Sequence, residues 1–443
     1  MRGRLPPATS SRIGARVMET IAGIPSPADA TTEHGVTLGR PDEFIAAVSS
    51  TSRYFQDALP ILGREDELRA LEALLQPSSS VRVVILTGRA GIGKTSLLLA
   101  LAERVTRRPS ERVVRFAYDV PSFAPPGAPR LPKGPCAIVI DDAHRKTCTT
   151  TLLQLAKDRP EVVFVLTARP AGLSRLLALT VPLGLFRGEL VVLPQLAPLS
   201  SDAAAEAAGT VLDHEFAAYA EQLAAVTEGH PQLVTLAGRL LREAALHPVA
   251  LDQPADFGAR VIARAYETLL IRTSATPDQK LSGGVLAQVT DMLGLVATLA
   301  PVRTADERFL QGAGELLGCR RRDVVAALRA LEGAGILERS ALGVRVVPAA
   351  LADHALQRLF TASLPLSGSF ADRIRTIMRH FGVQALVALY RNACEMDGAS
   401  VASDGASAFV SELLGVCRAE FEAASTRDRC RLLFALREVC YDD

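Results

Sequence analysis

The sequence predicts an α/β core with a mostly parallel sheet covered by helices on both faces, followed by several helical domains. Three observations support this fold class. Apolar runs rich in β-branched residues alternate with helical patterns over residues 82–167. Ala- and Leu-rich helical patterns replace the strands after about residue 196. The chain has 443 residues, which exceeds one ordinary hydrophobic core and indicates roughly two to four domains.

Charge, hydropathy and cysteine usage exclude several classes of protein. The 49 Lys and Arg residues nearly balance the 48 Asp and Glu residues, so no global charge favours nucleic acid or an anionic membrane. The most apolar long stretch, residues 285–302, contains Gln288, Thr290 and Asp291, and we predict a buried helix there rather than a membrane span. The scattered cysteines and the lack of an apolar signal region predict a cytoplasmic protein.

The chain begins with a segment of weak periodicity. Residues 1–55 are rich in Pro, Gly, Ser, Thr and Ala, and we expect an extension that is partly disordered or the remnant of a further domain. The stretch "ILGREDELRALEALLQ" follows, and its leucines fall on one helical face behind an acidic first turn. We therefore expect the α/β core to span residues 56–195.

Strands and helices alternate within this core. We predict strands at 82–87, 112–118, 137–141 and 162–167, with helices that begin at residue 94 and near residue 149. The strands are continuous apolar runs, which is typical of parallel strands buried on both faces. Much later, two short extended runs around Leu342 interrupt the helical patterns and predict a β-hairpin over residues 335–348.

The strongest chemical signal is "GRAGIGKTS", which follows the first of these strands and opens a helix. Its residues are Gly88, Arg89, Ala90, Gly91, Ile92, Gly93, Lys94, Thr95 and Ser96, and they fit G-x-x-x-x-G-K-[ST]. The glycines allow backbone N–H groups to surround a phosphate chain, and the helix N-terminus adds its positive dipole. We expect Lys94 to neutralise the β- and γ-phosphates and Thr95 to bind Mg²⁺.

The second signal is "AIVIDDAHRK", where an apolar strand ends in two aspartates. Asp141 is predicted to lie beside the phosphate loop and to bind Mg²⁺ through its water shell. Adjacent carboxylates raise each other's pKa unless a cation is present. Asp142 then either polarises an attacking water or caps the next helix. We interpret His144 as a solvated or packed surface residue.

The third signal is "VFVLTARP", another apolar strand that ends in Thr167 and Arg169. Neighbouring parallel strands share one carboxyl edge, which is where ligands bind. Arg169 there would contact the γ-phosphate, or it is a solvated loop arginine before Pro170. No N-K-x-D-like stretch for reading guanine occurs, so adenine is the expected base and ATP or ADP with Mg²⁺ the expected cofactors.

Taken in order, "LGREDEL", "GRAGIGKTS", "IVIDDAHR", "LTARP" and "TEGHPQLVTLAG" resemble the STAND class of signal-transduction P-loop ATPases, over about residues 60–360. The resemblance implies that Asp141 and Asp142 are the Walker B pair and that Arg169 is the sensor arginine. It further implies that Gly63 and Arg64 lie against the base and ribose, and that Pro231 contacts the adenine. Lys94, Asp142 and Arg169 would then be the catalytic residues of a weak, Mg²⁺-dependent ATPase.

The resemblance also implies a domain order after the core. We expect a helical lid domain at 196–285, a winged-helix-like domain at 286–362 and a C-terminal helical region at 363–443 that could begin an α-solenoid sensor. Relatives with a Met-His-Asp motif sense the nucleotide through its histidine, but this sequence has Pro348 at that position. We interpret the nearby His354 as an ordinary helix residue.

A winged-helix domain can bind DNA through its second helix. Arg320, Arg321 and Arg322 begin this helix and could contact phosphates. The body of the helix is rich in alanine and offers few side chains for reading bases. Packing against protein is therefore favoured over recognition of DNA.

Three functional hypotheses follow from these observations. The leading one is an ATP-dependent switch in signalling or defence, which hydrolyses slowly, responds to an unknown protein or ligand trigger and self-associates on activation, without a membrane partner. The second is a transcriptional regulator in which ATP controls a DNA-binding winged helix. The third is an AAA+ ring ATPase, with Arg175 or Arg187 as the candidate arginine finger.

Overall fold

The computed structural model describes most of the chain. The described residues are 36–51, 62–76, 78–107, 112–119, 131–185, 188–255, 257–274, 283–340, 343–347, 349–361, 368–396, 404–423, 425, 426 and 429.

Strands from the first half of the described chain form one sheet. They are β1 (Val36–Gly39), β2 (Val83–Thr87), β3 (Val113–Asp119), β4 (Cys136–Ile140), β5 (Val162–Ala168) and β6 (Leu190–Val192). Their order is β1-β3-β4-β5-β2-β6, in which β1 is antiparallel to β3 and all other neighbours are parallel. The prediction of a mostly parallel sheet is confirmed, and β2, β3, β4 and β5 correspond to the four predicted strands. Neither β1 nor β6 was expected.

Both faces of the sheet are apolar, because consecutive residues of a strand point to opposite sides. In β2, Val84 and Leu86 pack on one side and Val83 and Ile85 on the other. The first side is covered by α1 (Pro41–Thr51), α2 (Glu65–Leu74) and α3 (Lys94–Arg107), and the second by α4 (Thr147–Leu155) and α5 (Leu173–Thr180). The continuous apolar runs therefore reflect burial on both faces, as the sequence indicates.

Part of the segment expected to be an extension belongs to the core. Within residues 1–55, β1 pairs with β3 at the edge of the sheet, and α1 follows it directly. Phe44 of α1 stacks on Phe116 of β3 with ring centroids 4.5 Å apart. The expectation of a separate extension is thus wrong for residues 36–51, and residues 1–35 lie outside the described chain. Short strands at sheet edges carry little apolar alternation, which is why the sequence did not reveal β1.

The segment after the sheet folds into a small helical unit with its own core. It consists of α6 (Ser201–Val211), α7 (Ala220–Val226), α8 (Pro231–Arg242) and the start of α9 (Phe257–Ser274). The hydroxyl of Ser200 accepts a hydrogen bond from the N–H of Ala203 and so caps α6. Small alanines such as Ala207 and Ala208 allow α6 to approach α8 closely.

The C-terminal half builds a larger helical unit around one hydrophobic cluster. Its elements are α10 (Gly283–Leu299), α11 (Glu307–Leu317), α12 (Arg321–Gly333), β7 (Leu337–Ser340), β8 (Gly343–Val346), α13 (Ala349–Thr361), α14 (Phe370–Phe381), α15 (Val383–Cys394) and α16 (Asp404–Ala423). The cluster extends from Tyr266 to Cys417 without a break near residue 362. The described residues on both sides of that expected boundary therefore share one core.

Two sequence predictions are confirmed in this unit. The apolar stretch that begins at residue 285 forms α10, whose Val289, Met292 and Val296 are buried in the cluster. The predicted hairpin is formed by β7 and β8, which pair antiparallel with Leu337 opposite Val346. Among the described residues, no helix combines the length and apolarity that crossing a membrane requires.

The docking of α1 can be tested through its buried phenylalanine. Because Phe44 is 4% exposed and stacks on Phe116, we expect Phe44→Ala to lower the free energy of unfolding by about 3–5 kcal/mol. Val181→Ala is the control, since Val181 is 74% exposed and its truncation should change stability by less than about 0.5 kcal/mol. Denaturant unfolding measures both, and equal effects would show that α1 is not docked.

Candidate functional site

The phosphate loop joins β2 to α3 at the carboxyl edge of the sheet. Gly91 and Gly93 have φ values of +71° and +103°, which are left-handed conformations that favour glycine. The loop therefore curls back on itself, and α3 begins at Lys94. The ammonium of Lys94 donates to the carbonyls of Gly88 (2.7 Å) and Arg89 (2.9 Å), so it lies across the loop. In the same segment Ala90 and Ile92 are buried, whereas the side chains of Arg89 and Ser96 are exposed.

The strand register brings the second motif to this loop. Ile140 pairs with Leu166 in the sheet, so the residues that follow them, Asp141 and Thr167, are neighbours. The Thr167 hydroxyl donates to Oδ1 of Asp141 and accepts the N–H of Asp142 at 2.9 Å. Thr95 at the start of α3 donates its hydroxyl to Oδ2 of Asp141 at 2.6 Å.

The pair of Thr95 and Asp141 fits a magnesium ion in the chemistry of its donors. Hydroxyl and carboxylate oxygens are hard ligands, and Mg²⁺ usually keeps several waters and phosphate oxygens besides one or two protein ligands. The structure thus brings together the two residues predicted to bind the metal. Thr167, which is fully buried, orients Asp141 and was noted in the sequence only as the end of a strand.

Asp142 adopts a left-handed conformation with φ of +48° and makes no capping hydrogen bond to the short helical turn that follows. The interpretation of Asp142 as a helix cap is therefore wrong. Its Oδ2 lies 3.8 Å from Nη1 of Arg345 in β8. Burial would raise the pKa of Asp142, but the surrounding positive charges, of which Arg145 acts most strongly, hold that pKa well below its usual range. The carboxylate is consequently ionised at neutral pH.

Arg169 is buried, with 2% of its surface exposed, so the interpretation as a solvated loop arginine is wrong. It follows Ala168, whose carbonyl accepts the N–H of Gly88 at 3.1 Å, and it therefore starts beside the phosphate loop. Its Nη1 donates to Oδ1 of Asp353 in α13 at 3.4 Å and to the backbone carbonyl of Glu395, which caps the C-terminus of α15. The guanidinium is thus held by the C-terminal helical unit.

His144 is also buried, which overturns its interpretation as a surface residue. Its ring covers Gly172, where any Cβ would overlap it. Nε2 of His144 lies 3.8 Å from Oε1 of Glu395, and burial lowers the pKa of the histidine to about 4. The sequence contains no local signal for this position, because the residues that enclose the ring come from the loop after β5 and from α15.

Gly63 and Arg64 connect the phosphate loop to the segment before α6. Gly63 has a φ of +63° and lies against Ala203. The guanidinium of Arg64 is buried and donates to the carbonyls of Ile92 (3.3 Å) and Ala197 (2.6 Å). Arg64 therefore supports the backbone of the loop, and a contact with base and ribose remains a prediction.

The helical unit after the sheet reaches the phosphate loop through the N-terminus of α8. Pro231 occupies the first turn of that helix. The residues on either side of it make the contacts: the ring of His230 bonds to the backbone of Ala90, and the N–H of Gln232 donates to the carbonyl of Gly91 at 3.3 Å. Burial lowers the pKa of His230 to about 4. The resemblance pointed to this turn through Pro231, whereas the observed contacts come from its neighbours His230 and Gln232.

A family model described as an AAA ATPase domain matches residues 60–326. The chain belongs to the AAA ATPase domain family. The matched residues include strands β2 to β6, the phosphate loop, the helices from α2 to α11 and the start of α12, but not β1 and α1. It implies nucleotide binding, usually with Mg²⁺, and the positions of Lys94, Thr95 and Asp141 fit both.

Several solved structures are similar to the chain at low identity. The RuvB Holliday junction branch migration motor of Thermotoga maritima is 20% identical, covers 66% of this chain and 96% of its own, and has a TM-score of 0.29. The Aeropyrum pernix ORC2 protein is 15% identical, and the match covers 70% of this chain and 98% of the ORC2 chain, with a TM-score of 0.35. The S. cerevisiae Hsp104–ADP complex is 13% identical, and the match covers 88% of this chain and 51% of the Hsp104 chain, with a TM-score of 0.34. No curated protein matches the chain.

Burial of His144 should make stability depend on pH. Its pKa of about 4 in the folded state is below the ordinary value near 6.5, so folding disfavours the protonated form. The stability that the neutral histidine contributes is fully present above about pH 6.5 and decreases as the pH falls. At pH 4 the free energy of unfolding has decreased by about 3 kcal/mol. We expect His144→Phe, which keeps a planar ring over Gly172, to flatten the decline of unfolding free energy across this window.

Denaturant unfolding at several pH values between 7 and 4 measures this effect, with each variant compared with its own value at pH 7. His214→Phe is the matched control because His214 is exposed. Parallel pH profiles for wild type and the His144 variant would contradict the burial of a neutral histidine.

Proposed function

We propose that this chain is an ATP-binding, slowly hydrolysing switch of the STAND class, in which nucleotide state controls the packing of the C-terminal helical unit on the α/β core. One observation carries the proposal. The backbone of Arg169 lies beside the phosphate loop. Its guanidinium, however, donates to Asp353 and to the backbone carbonyl of Glu395, which both belong to the C-terminal unit. A residue suited to contact the γ-phosphate is therefore also an anchor between the two halves of the protein.

Nucleotide binding in this proposal uses the residues at the sheet edge. Lys94 crosses the phosphate loop and would exchange its bonds to the loop carbonyls for bonds to phosphate oxygens. Thr95 and Asp141 would hold Mg²⁺. His230 and Gln232 bond to the loop backbone from the other side, so the lid helix α8 would respond to the conformation of the loop. Pro231 and Arg64 would lie nearest the base and ribose.

Slow hydrolysis follows from the partners that the catalytic residues have in this conformation. Asp142 would polarise the attacking water, but its carboxylate faces Arg345 at 3.8 Å. Arg169 would stabilise charge that develops on the γ-phosphate, but it is bonded to the C-terminal unit. Catalysis requires groups already aimed at the transition state. Both residues would have to change partners before each turnover, so the C-terminal unit restrains the reaction.

The winged-helix assignment for residues 286–362 is part of this proposal. Helices α11 and α12 are followed by the β7–β8 hairpin, and Val302, before these helices, forms a single antiparallel bridge with Val344 of β8. This order is typical of winged helices. Pro348, at the position of the sensing histidine, lies outside the described residues. Asp353, five positions further along the chain, instead contacts Arg169. Arg169 lies at the carboxyl edge of the sheet that carries the phosphate loop, here called the nucleotide edge. His354 packs edge-on against Tyr266, which supports its interpretation as a helix residue.

Of the two alternatives, DNA binding is the weaker on the same observations. DNA binding would use Arg320 to Arg322, but Arg321 pairs with Glu307 and Arg322 lies 3.6 Å from Asp323, which reduces the local positive charge. An AAA+ ring ATPase fits the family equally well. Of its candidate arginine fingers, Arg175 lies on α5 and is partly buried, and Arg187 lies outside the described residues. A turnover below about 1 per second would favour the switch over the ring motor.

The switch can be tested by its size and its nucleotide dependence. We expect ATP, but not ADP, to increase the mass of the wild-type protein in size-exclusion chromatography with light scattering, because ATP would release the C-terminal unit for self-association. Lys94→Ala should abolish nucleotide binding and the change in mass. Lys157→Ala, on an exposed lysine, should behave like wild type. Equal masses with ATP and ADP in all three proteins would contradict the switch.

The role of Asp142 can be separated from metal binding. If Asp142 polarises water, Asp142→Asn should lower ATP turnover by about 10²–10⁴-fold while nucleotide affinity stays near that of wild type. Asp141→Asn should weaken Mg²⁺-dependent binding as well. Steady-state turnover and calorimetric titration with ATP, with and without Mg²⁺, distinguish the two. An Asp142 variant with wild-type turnover would leave this residue without a catalytic role.

A further inference from the structure

Glu395 is an acidic residue that contacts the nucleotide edge from far away in the sequence. It caps the C-terminus of α15 and is 7% exposed. The motifs of the α/β core gave no reason to consider it, since it is 226 positions from Arg169. Its position at the end of a helix of the C-terminal unit places a carboxylate where the loops after β4 and β5 meet.

Glu395 engages three groups of the α/β core at once. Its Oε2 forms an ion pair with Nη2 of Arg145, and its Oε1 lies 3.8 Å from Nε2 of His144. Its backbone carbonyl accepts a hydrogen bond from Arg169. Burial would raise the pKa of Glu395, but Arg145 above all, with His144 and Arg169, lowers it below the ordinary range. The carboxylate is therefore an anion paired with Arg145, while Arg169 contacts the backbone carbonyl of the same residue.

Asp353 adds a second acid beside it. Oδ1 of Asp353 lies 3.4 Å from Nη1 of Arg169. Arg145 follows β4, and Arg169 follows β5, the strand that pairs with β2 beside the phosphate loop. Both residues are cations of the kind that bind phosphate oxygens in pairs. The C-terminal unit thus presents carboxylates to cations that a nucleotide phosphate would also attract.

The C-terminal unit can transmit a change at Glu395 because it is tied to a rigid core. The side-chain amide of Asn392, in the last turn of α15, donates to the carbonyls of Thr298 (2.9 Å) and Ala300 (3.1 Å) at the end of α10. Helix α10 lies within the shared hydrophobic cluster of this unit. Close-packed units move as bodies rather than bending locally, so Glu395 cannot leave the edge without the helices that carry it.

We infer that Glu395 is an internal latch whose carboxylate competes with the γ-phosphate of ATP for Arg145, while Asp353 competes with it for Arg169. With Asp353, it keeps Arg145 and Arg169 engaged and holds the C-terminal unit on the core. The γ-phosphate displaces the two acids, whereas ADP lacks the group that competes. This inference rests on the proposed switch and names the contact that nucleotide binding would break. A ligand shifts a conformational equilibrium only through its differential interactions with the two states, and this competition supplies them.

A purely structural ion pair would behave differently. Its loss would lower stability and leave the preference for ATP over ADP unchanged. A latch that competes with the γ-phosphate raises the apparent affinity for ATP, and not for ADP, when the latch is removed. The ratio of the two affinities is therefore the decisive quantity.

The test compares Glu395→Gln with Glu412→Gln, an exposed glutamate on α16 that serves as the matched control. The glutamine keeps the shape and the backbone carbonyl of residue 395 but removes its charge. Arg145 is 25% exposed on its side chain, so it becomes hydrated when its partner is neutral and the variant can still fold. Calorimetric titrations with ATP and with ADP, and steady-state turnover, are measured for wild type and both variants.

We expect Glu395→Gln to raise the ratio of ATP to ADP affinity and the turnover by about fivefold or more, the size of a typical coupling between sites. Glu412→Gln should match wild type. Charge reversal provides a second test. Glu395→Arg and Arg145→Glu should each increase the rate of hydrogen exchange at the end of α15, and the double variant should restore a rate close to that of wild type.

Each outcome decides the question. If all proteins bind nucleotide but the ATP to ADP ratio of Glu395→Gln equals that of wild type, the latch is overturned while the proposed switch stands. A loss of thermal stability with an unchanged ratio identifies a structural ion pair only, and it also overturns the latch. If wild type binds neither nucleotide, the proposed function itself fails. Failure of the double charge reversal to restore protection would contradict direct pairing of residues 145 and 395.

Discussion

The carboxyl ends of three adjacent parallel strands lie side by side, and this register is the constraint on which the rest of the structure depends. Pairing of Ile140 with Leu166 and of Thr87 with Ala168 aligns the ends of β4, β5 and β2. The phosphate loop, the two aspartates and the buried arginine each follow directly after one of these strands. A shift of one residue would move a strand end by about 3.3 Å, which would break the hydrogen bonds that orient Asp141.

This edge concentrates positive charge in a confined space. Lys94, Arg145 and Arg169 all lie near it, and charged groups removed from water need partners or counter-charges. In this structure the partners are backbone carbonyls of the loop and acids of the C-terminal unit. The arrangement that suits the edge to bind phosphate therefore also makes it attract an internal carboxylate. In the proposed switch, ligand binding and domain packing would depend on the same cations.

In the proposed switch, an exchange of partners would give the two halves of the protein a physical means of communication. Acids of the C-terminal unit face cations of the core, and in the opposite direction Arg345 faces Asp142. Arg345 is itself held by Glu338 at 2.7 Å, so it is fixed to the hairpin that carries it. Because the C-terminal helices share one hydrophobic cluster, a change at these contacts would reposition the unit as a whole. Such bistable interfaces are the usual means by which small local changes become large ones.

Patterns in the sequence were enough to predict the parallel sheet, four of its strands, the phosphate loop, the meeting of Thr95 with Asp141, the buried helix α10 and the hairpin. These features follow from local patterns, since apolar runs, glycine positions and strand order report backbone pairing and burial directly. The edge strand β1, the burial of His144 and Arg169, and the contacts of Glu395 became visible only in the folded chain. The partner of a charged side chain is selected by the packing of elements that are distant along the chain, here 226 positions for Arg169 and Glu395. No local pattern encodes that choice.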